Sequence, residues 1–208
     1  MSVISLPAGL QFGSWTWGQA DYSLTEISDQ TGAASSRSFG PPRWTLAFTS
    51  VEALSRVQAG VWEAFFAQLR GRVNHLAAYD VLRPVPQGTM RGSLTLNSSA
   101  AAGDVTLSIT GGGGQASTTL LRGDWLQLSS GLGTSQLVKV CADATANGSG
   151  VISVTVEPPL RLAFVGSTVV TWSAPLAYFK RSTGRIEWRS AGAGFVSGFS
   201  LDLLEQWS

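Results

Sequence analysis

Short apolar segments, separated by turns rich in glycine, fill the middle of this 208-residue sequence. Segments of four to seven residues that are bounded by turn residues are typical of β-strands. Five or six such strands within about 80 residues predict a small closed β-barrel, because closure removes the exposed strand edges that promote aggregation. The predicted strands are 94–97, 105–110, 124–129, 136–142, 151–156 and 168–172.

The residues on either side of this block have a different pattern. Residues 10–17 and 43–49 alternate apolar and polar side chains, so that Trp44, Leu46 and Phe48 share one face of a half-buried strand. The small residues at 31–36 predict a loop between these two strands. Near the end of the chain, two further strands at 185–190 and 195–204 predict a hairpin around a glycine-rich turn.

One segment has the periodicity of an α-helix. Between positions 51 and 71 an apolar residue recurs at every third or fourth position, which predicts one buried helical face. Thr49 and Glu52 have the spacing of a capping box, and Gly71 is a typical stop signal, so the predicted helix spans 50–71. The residues of the predicted buried face are Val51, Leu54, Val57, Val61, Phe65 and Leu69.

Together these patterns predict a mainly β protein in which one domain interrupts another. The host domain, residues 1–90 plus 175–208, is predicted to be a split β-barrel or sandwich with a single helix. The inserted domain, residues 91–174, is predicted to be a small OB-like barrel. Prolines at positions 84 and 86 interrupt regular pairing and indicate where the chain leaves the host.

Composition excludes several classes of function. The formal net charge is +1 and only 13% of residues are charged, so no general attraction to nucleic acid, anionic membranes or acidic substrates is expected. Position 141 holds the single cysteine, which excludes an intrachain disulfide, and its default interpretation is a small buried strand residue. The amino terminus has no charged leader and no long apolar run, which favours synthesis and folding in the cytoplasm.

Reactive residues are scarce. His75 is the only histidine, and no Gly-x-Ser-x-Gly sequence presents a serine to it, so no catalytic site is predicted. One histidine and one cysteine do not fill a zinc site. Asp21, Glu26 and Asp29 lack the pattern of a calcium loop and are interpreted as solvated acids. The sequence therefore predicts no metal site and no cofactor.

Aromatic and basic residues are the better candidates for contacts with a partner. Trp125 and Trp172 lie in the predicted barrel, where they either stack on a sugar or protein partner or, more commonly for such residues, pack in the core. Arg185 and Arg189 are two of four residues in a basic cluster with Lys180 and Arg181, interpreted as a solvated face or a subunit contact. The complete set of candidate contact residues is Trp15, Trp17, Trp125, Trp172, Arg185, Arg189 and Trp207.

Several short sequences resemble one known family. They are Gly-Asp-Trp-Leu-Gln-Leu at 123–128, Val-Lys-Val at 138–140, Asn-Gly-Ser-Gly at 147–150, Val-Thr-Val-Glu-Pro-Pro-Leu-Arg at 154–161 and Ala-Pro-Leu-Ala-Tyr-Phe at 174–179. This region is similar to the inserted part of distal tail proteins of long-tailed bacteriophages with non-contractile tails. The flanking order of strands, helix, insert and closing hairpin extends the resemblance over most of the chain.

The resemblance implies a structural protein of the virion. A split-barrel belt domain would form a homo-hexameric ring at the tail tip, with the OB-like barrel on its outer side. Such a ring joins the tail tube protein to the tail hub, leaves an axial channel for DNA in transit, and offers attachment points for tail fibres or a host glycan. A chain of this kind is assembled in the bacterial cytoplasm and acts without catalysis.

Two alternatives remain open from the sequence. A carbohydrate-binding module is favoured by Trp125 and Trp172, whose rings suit stacking on host surface glycans. A tail-associated hydrolase is also conceivable, because carboxylates that are distant in sequence can still meet in space. These alternatives predict respectively an exposed aromatic platform and a paired set of acids.

Overall fold

The computed structural model describes residues 1–183, 187–190 and 196–207. The described chain is mainly β with one α-helix and a closed six-stranded barrel, which confirms the predicted fold class. The first nine strands are β1 (Val3–Ser5), β2 (Phe12–Ala20), β3 (Ser23–Ile27), β4 (Ala34–Ser38), β5 (Arg43–Ser50), β6 (His75–Ala78), β7 (Leu94–Leu96), β8 (Thr106–Thr110) and β9 (Thr119–Leu120). The remaining strands are β10 (Trp125–Leu128), β11 (Gln136–Val140), β12 (Ala144–Thr145), β13 (Val151–Glu157), β14 (Val169–Thr171), β15 (Ala177–Arg181), β16 (Arg189–Ser190), β17 (Val196–Ser197) and β18 (Ser200–Glu205).

The chain divides into two compact units. The first contains Met1–Gln19, Trp44–Tyr79 and Leu176–Ser208, and the second contains Ala20–Arg43 and Asp80–Pro175. The predicted domain limits remain a prediction. In the first unit a six-stranded sheet has the order β1-β6-β15-β18-β5-β2, so strands from the two ends of the sequence lie in one sheet.

Alternation along β5 builds the core of the first unit. Trp44, Leu46 and Phe48 are buried, as the sequence pattern predicts for one face of this strand. β5 pairs with β18, where Leu46 lies opposite Leu203 and Phe48 opposite Leu201. The centre of the buried face of this strand pair therefore consists of large apolar side chains.

The helix α1 begins later than the sequence predicted. It spans Arg56–Leu69, and its capping box is formed by Ser55 and Gln58 rather than by Thr49 and Glu52. Thr49 instead lies in β5, opposite Ser200 of β18. Pairing with β18 extends the strand through Ser50, so tertiary contacts override the local capping signal.

The buried face of α1 also differs from the predicted one. Trp62 is fully buried and stacks on Phe199, with ring centroids 5.7 Å apart, and it also contacts Phe48 at 5.9 Å. Val57, predicted to be buried, is 81% exposed because the buried residues of α1, which include Ala59, Trp62 and Phe66, lie on another face of the helix. The helix ends at Leu69, and the two residues that follow, Arg70 and Gly71, both adopt positive φ. Within the described residues, no helix is both long and apolar enough for a transmembrane span.

The second unit contains the closed barrel. Its strands follow the cyclic order β10-β11-β13-β8-β7-β14, and β14 pairs in turn with β10, so each barrel strand has a neighbour on both sides. Alternate residues of β13, Ile152, Val154 and Val156, point into the barrel and are buried. The interior is filled by aliphatic side chains, as expected of a small barrel.

A separate two-stranded hairpin lies between β2 and β5 in the sequence. β3 and β4 pair only with each other among the described strands, with Ser23 opposite Ser38 and Ile27 opposite Ala34. The predicted loop at 31–36 is therefore wrong at its end, since β4 begins at Ala34. Residues 22–39 are called the hairpin arm below.

Part of the predicted C-terminal hairpin lies outside the described residues. In the described part, Arg189–Ser190 pairs with Val196–Ser197 in an antiparallel arrangement. β18 then runs alongside both β5 and β15 in the large sheet. β15 itself has no counterpart among the strands predicted from the sequence.

Candidate functional site

Three of the predicted contact residues pack within the first unit. Trp15 stacks on Phe48, with centroids 5.0 Å apart and planes 10° apart, and Trp17 approaches Phe179 edge-on at 5.5 Å. Both tryptophans, and Trp207 near the carboxyl end, are half-buried. Their rings therefore contribute to the unit's own packing, and only a part of each ring is left for a partner.

Trp125 lies in the second unit and is only 3% exposed. Its Nε1 donates to Oδ2 of Asp80 at 3.2 Å, and the same oxygen accepts from Nε of Arg83 at 2.9 Å. Nζ of Lys139 lies 4.0 Å from the ring centroid, a cation–π contact. Burial, followed by the nearby charge of Arg83, lowers the pKa of Lys139. This cluster holds Trp125 in place and leaves no open ring face for a sugar.

Trp172 is half-buried and is also held by its neighbours. Its Nε1 donates to the carbonyl of Gly92 at 2.7 Å, and the guanidinium carbon of Arg91 lies 5.0 Å from the ring centroid. Arg91 is fixed in turn by donating to three backbone carbonyls, those of Pro86, Gly88 and Met90. The ring borders an open groove of ≈ 350 Å³ between β7 and β14. Because Arg91 occupies a ring face, Trp172 is not the bare platform that sugar stacking needs.

The side-chain positions of the two basic candidates, Arg185 and Arg189, are not described. Arg185 lies outside the described residues, and Arg189 is the first residue of β16, described by its backbone alone. Their interpretation as part of a solvated face or a subunit contact therefore stays a prediction.

The residues considered for chemistry are dispersed. His75 is fully buried in β6, where its backbone N–H donates to the carbonyl of Ser2 at 3.0 Å. Asp21 accepts a hydrogen bond from Ser23, and it is exposed together with Glu26 and Asp29. In the part of the chain that the structure describes, no three His, Cys, Asp or Glu side chains group as a metal site would require.

The expectation that Cys141 is buried is wrong. β11 ends at Val140, so Cys141 leaves the strand and is exposed. Partial burial of the thiol and the negative charge of Glu157 raise its pKa, which lowers the fraction of reactive thiolate at neutral pH.

The hairpin arm is the least buried part of the described chain with regular structure. All five residues of β3 and all five of β4 are exposed. Leu24 is 49% exposed, Ile27 66% and Phe39 67%. A lone two-stranded hairpin is marginally stable in water, and large exposed apolar side chains commonly indicate an interaction site.

The two faces of the arm differ in chemistry. One face carries small uncharged side chains apart from Ile27 at its end, with Thr25 and Ser36 directly opposite each other and their hydroxyl oxygens 2.8 Å apart. The other face carries Leu24 opposite Arg37, and the Arg37 guanidinium lies 5.9 Å from the Phe39 ring centroid. The first face suits close approach of another backbone, and the second provides apolar anchors.

The outer backbone edges of β3 and β4 pair with no other described strand. Phe39 N–H donates to Tyr22, and Ser28 N–H donates to Ala33, both at 2.9 Å. Because hydrogen-bonded pairs alternate in an antiparallel ladder, the N–H groups at positions 23, 25 and 27 of β3 point outward, as do those at 34, 36 and 38 of β4. Each edge thus presents donors and acceptors to a further strand.

The sequence gives a weak signal for this arm. Half of its strand residues are serine or threonine and neither strand has a buried face, so the strands lack the alternation by which strands are recognised. The usable signal is the β-branched and aromatic content at Tyr22, Thr25 and Ile27.

Comparison of the chain with models of known protein families and with curated proteins finds no match. The functional conclusion therefore depends on the geometry above and on the resemblance of the sequence.

Proposed function

We propose that this protein is a structural component of a bacteriophage tail tip that forms a ring of identical subunits. The ring would join the tail tube protein to the tail hub and leave an axial channel for DNA. The observation that carries the proposal is the hairpin arm, with its exposed strands and two unpaired edges.

Pairing between arms of neighbouring copies would give this hairpin a role in assembly. The outer edge of β3 and the outer edge of β4 are different surfaces, so the β3 edge of one copy can pair with the β4 edge of the next. A head-to-tail contact between two different surfaces closes into a ring when the rotation divides a full turn. Exposed Leu24 and Phe39 would then be covered by the neighbouring copy.

The remaining architecture is consistent with a passive, assembled protein. The barrel has no free strand edge of its own, so its pairing is complete within one chain. The side chains of Asp80 and Trp125 are engaged in fixing that barrel. We therefore assign the protein a structural role, with the tail tube and hub as partners in the virion and no catalytic step.

The test uses a matched pair of substitutions at the centre of β3. Thr25→Pro removes an outward N–H and leaves the hydrogen bonds between β3 and β4 intact, whereas Thr25→Val keeps that N–H. Both variants lose the hydroxyl contact with Ser36, so they differ mainly at the outer edge. Mass photometry and negative-stain imaging of the purified full chain measure assembly.

We expect rings for the natural chain and for Thr25→Val, and monomers for Thr25→Pro with an unchanged circular dichroism spectrum. Complementation of a phage that lacks its own tail-tip ring protein then tests the location in the particle. A chain that stays monomeric at high concentration and enters no tail tip would contradict the proposal.

A further inference from the structure

Arg181 is a buried cation that forms no ion pair within the part of the chain that the structure describes. It ends β15 on the same strand face as Ala177 and Phe179, and only 7% of its surface is exposed. Its Nε and Nη2 are both covered and make no hydrogen bond to a described residue. Burying a guanidinium without an acceptor is unfavourable, so a partner is expected at this position.

The adjacent strands do not supply that partner. On one side Arg181 lies opposite Leu203 of β18, an apolar residue. On the other side, continuing the register between β15 and β6 places Asn74 opposite Arg181. The Asn74 side chain is already engaged, because its Nδ2 donates to Gln68 O at 2.8 Å and its Oδ1 accepts from Ser2 N at 3.0 Å.

The nearest acid in the sheet pattern is directed elsewhere. Glu205 lies on the same buried face, opposite Phe179 and two positions along β18 from Leu203. Its Oε2 accepts from the backbone N–H of Trp44 at 3.0 Å. Trp44 follows the start of β5, on the far side of β18 from β15, so this oxygen of the carboxylate is engaged by a strand that does not neighbour Arg181.

A second guanidinium lies beside the first. Arg72 is exposed, and its Nη2 donates to the carbonyl of Ser182, the residue that follows Arg181. Burial and then the positive charge of Arg72 lower the pKa of Arg181. Neither arginine forms an ion pair within the described residues.

We propose that Arg181 and Arg72 form a binding site for an oxyanion, that is, a carboxylate or a phosphate. Two neighbouring guanidinium groups match the oxygens of such an anion, which accepts charge-assisted and often bidentate hydrogen bonds. The anion reaches Nε and Nη2 of Arg181 after a local rearrangement, and it relieves the repulsion between the two cations.

The oxyanion has two possible sources, a free anion or an acidic side chain from a second copy of this chain. The first experiment uses inorganic phosphate as the probe, with the full chain at a concentration at which it is monomeric. Calorimetric titration gives the dissociation constant, and the side-chain Nε–H resonance of Arg181 reports contact directly. Sodium chloride at matched ionic strength corrects for general salt effects.

Three variants locate the site. Arg181→Met is expected to weaken phosphate binding by at least about tenfold, because it removes the charge-assisted hydrogen bonds. Arg72→Met should weaken it less, and since Arg72 is exposed this variant serves if Arg181→Met does not fold. Lys180→Met removes one positive charge at the adjacent position, whose side chain lies on the opposite strand face, and should bind phosphate as the natural chain does.

The second experiment measures self-association across a concentration series. If an acidic side chain of another copy fills the site, phosphate competes with association and Arg181→Met weakens association while Lys180→Met does not. A positive result in either experiment supports the proposal. Equal phosphate binding and equal self-association of Arg181→Met and Lys180→Met, with an Nε–H resonance that phosphate does not move, would overturn it.

Discussion

The barrel and the hairpin arm are both built from antiparallel strands, yet they treat their backbone edges in opposite ways. Each barrel strand pairs on both sides, and aliphatic residues such as Leu126 and Val138 are fully buried inside. Each strand of the arm pairs on one side only, and its residues are exposed. The barrel is closed within one chain, whereas the outer edges of the arm pair with no other described strand, and we propose that a second copy pairs with them.

This difference predicts which residues determine the free energy of unfolding and which determine self-association. Burial of apolar surface stabilises a fold by roughly 25 cal/mol for each Å², so barrel residues should dominate the free energy of unfolding. Exposed residues of the arm contribute little to that quantity in the monomer and can contribute to binding. Substitutions matched between the two regions therefore separate folding from assembly.

The largest contrast is expected between two leucines. Leu126→Ala in the barrel should lower the free energy of unfolding by about 2–5 kcal/mol, because it leaves a cavity in a packed interior. Leu24→Ala in the arm should change it by less than about 0.5 kcal/mol and should weaken self-association. Urea denaturation and sedimentation measure the two effects. Equal destabilisation by both variants would remove the distinction.

Two glycines with positive φ give the next contrast. Gly150, just before β13, has φ 74°, and an added Cβ would collide with the carbonyl oxygen of Gly112. Gly150→Ala should cost about 1–3 kcal/mol from backbone strain and a further contribution of about 1–3 kcal/mol from overpacking.

Gly32, in the turn of the arm, has φ 66° and open space around it. Gly32→Ala should cost only the strain of the left-handed conformation, about 1–2 kcal/mol within the turn itself. Thermal unfolding of the barrel should detect the first substitution and not the second. A lower barrel Tm in Gly32→Ala would show that the arm supports the barrel in the monomer.

A buried and an exposed acid give a smaller contrast. Asp124 accepts from the backbone N–H groups of Gln87 at 2.7 Å, Leu121 at 2.8 Å and Gly88 at 3.2 Å. Asp124→Ala should cost about 1–3 kcal/mol, because buried donors lose their acceptor. Glu26→Ala on the arm serves as the exposed control and should be close to neutral in urea denaturation. Destabilisation by Glu26→Ala that matched the loss at Asp124 would contradict this assignment.

The smallest effect concerns thiol reactivity. The raised pKa of Cys141 means that less thiolate is present at a given pH, so alkylation by iodoacetamide should be slower than in the urea-unfolded chain. Glu157→Gln should speed it, because the negative charge that helps to raise the pKa is removed.

A cysteine on the exposed arm, Ser35→Cys in a Cys141→Ser background, provides the reference rate. The pH at which alkylation is half-maximal should be lower for this reference than for Cys141. The reverse order would show that the barrel surface does not suppress the thiolate.

The parts of the fold that bury an apolar face were predictable from the sequence. Trp44, Leu46 and Phe48 alternate in the sequence and are buried in the structure, and the barrel strands follow the glycine-punctuated apolar segments. These patterns are readable because burial imposes a period on side chains. The start of the helix was not predictable in this way, because Thr49 has the spacing of a capping residue but lies in β5, where it pairs with β18.

The candidate interaction surface was the harder part to predict. Both faces of β3 and β4 are exposed to solvent in the monomer. Apolar and polar side chains therefore need not alternate along these strands, and the sequence carries no periodic signal for them. The sequence analysis named Trp125 as a candidate contact residue, yet its indole donates a hydrogen bond to Asp80 and its ring face contacts Lys139. Residue type alone does not say whether an aromatic side chain is buried, because that depends on pairing between distant strands.

The most direct measurement of the central claim is amide hydrogen exchange at the outer edges of the arm. The account predicts that the outward N–H groups of Thr25 and Ser36 exchange freely in the dilute monomer and at least about tenfold more slowly in the assembled protein, because a neighbouring strand then accepts from them. Exchange of these two amides at the same rate in monomer and assembly would mean that the edges remain in water, and would contradict the account.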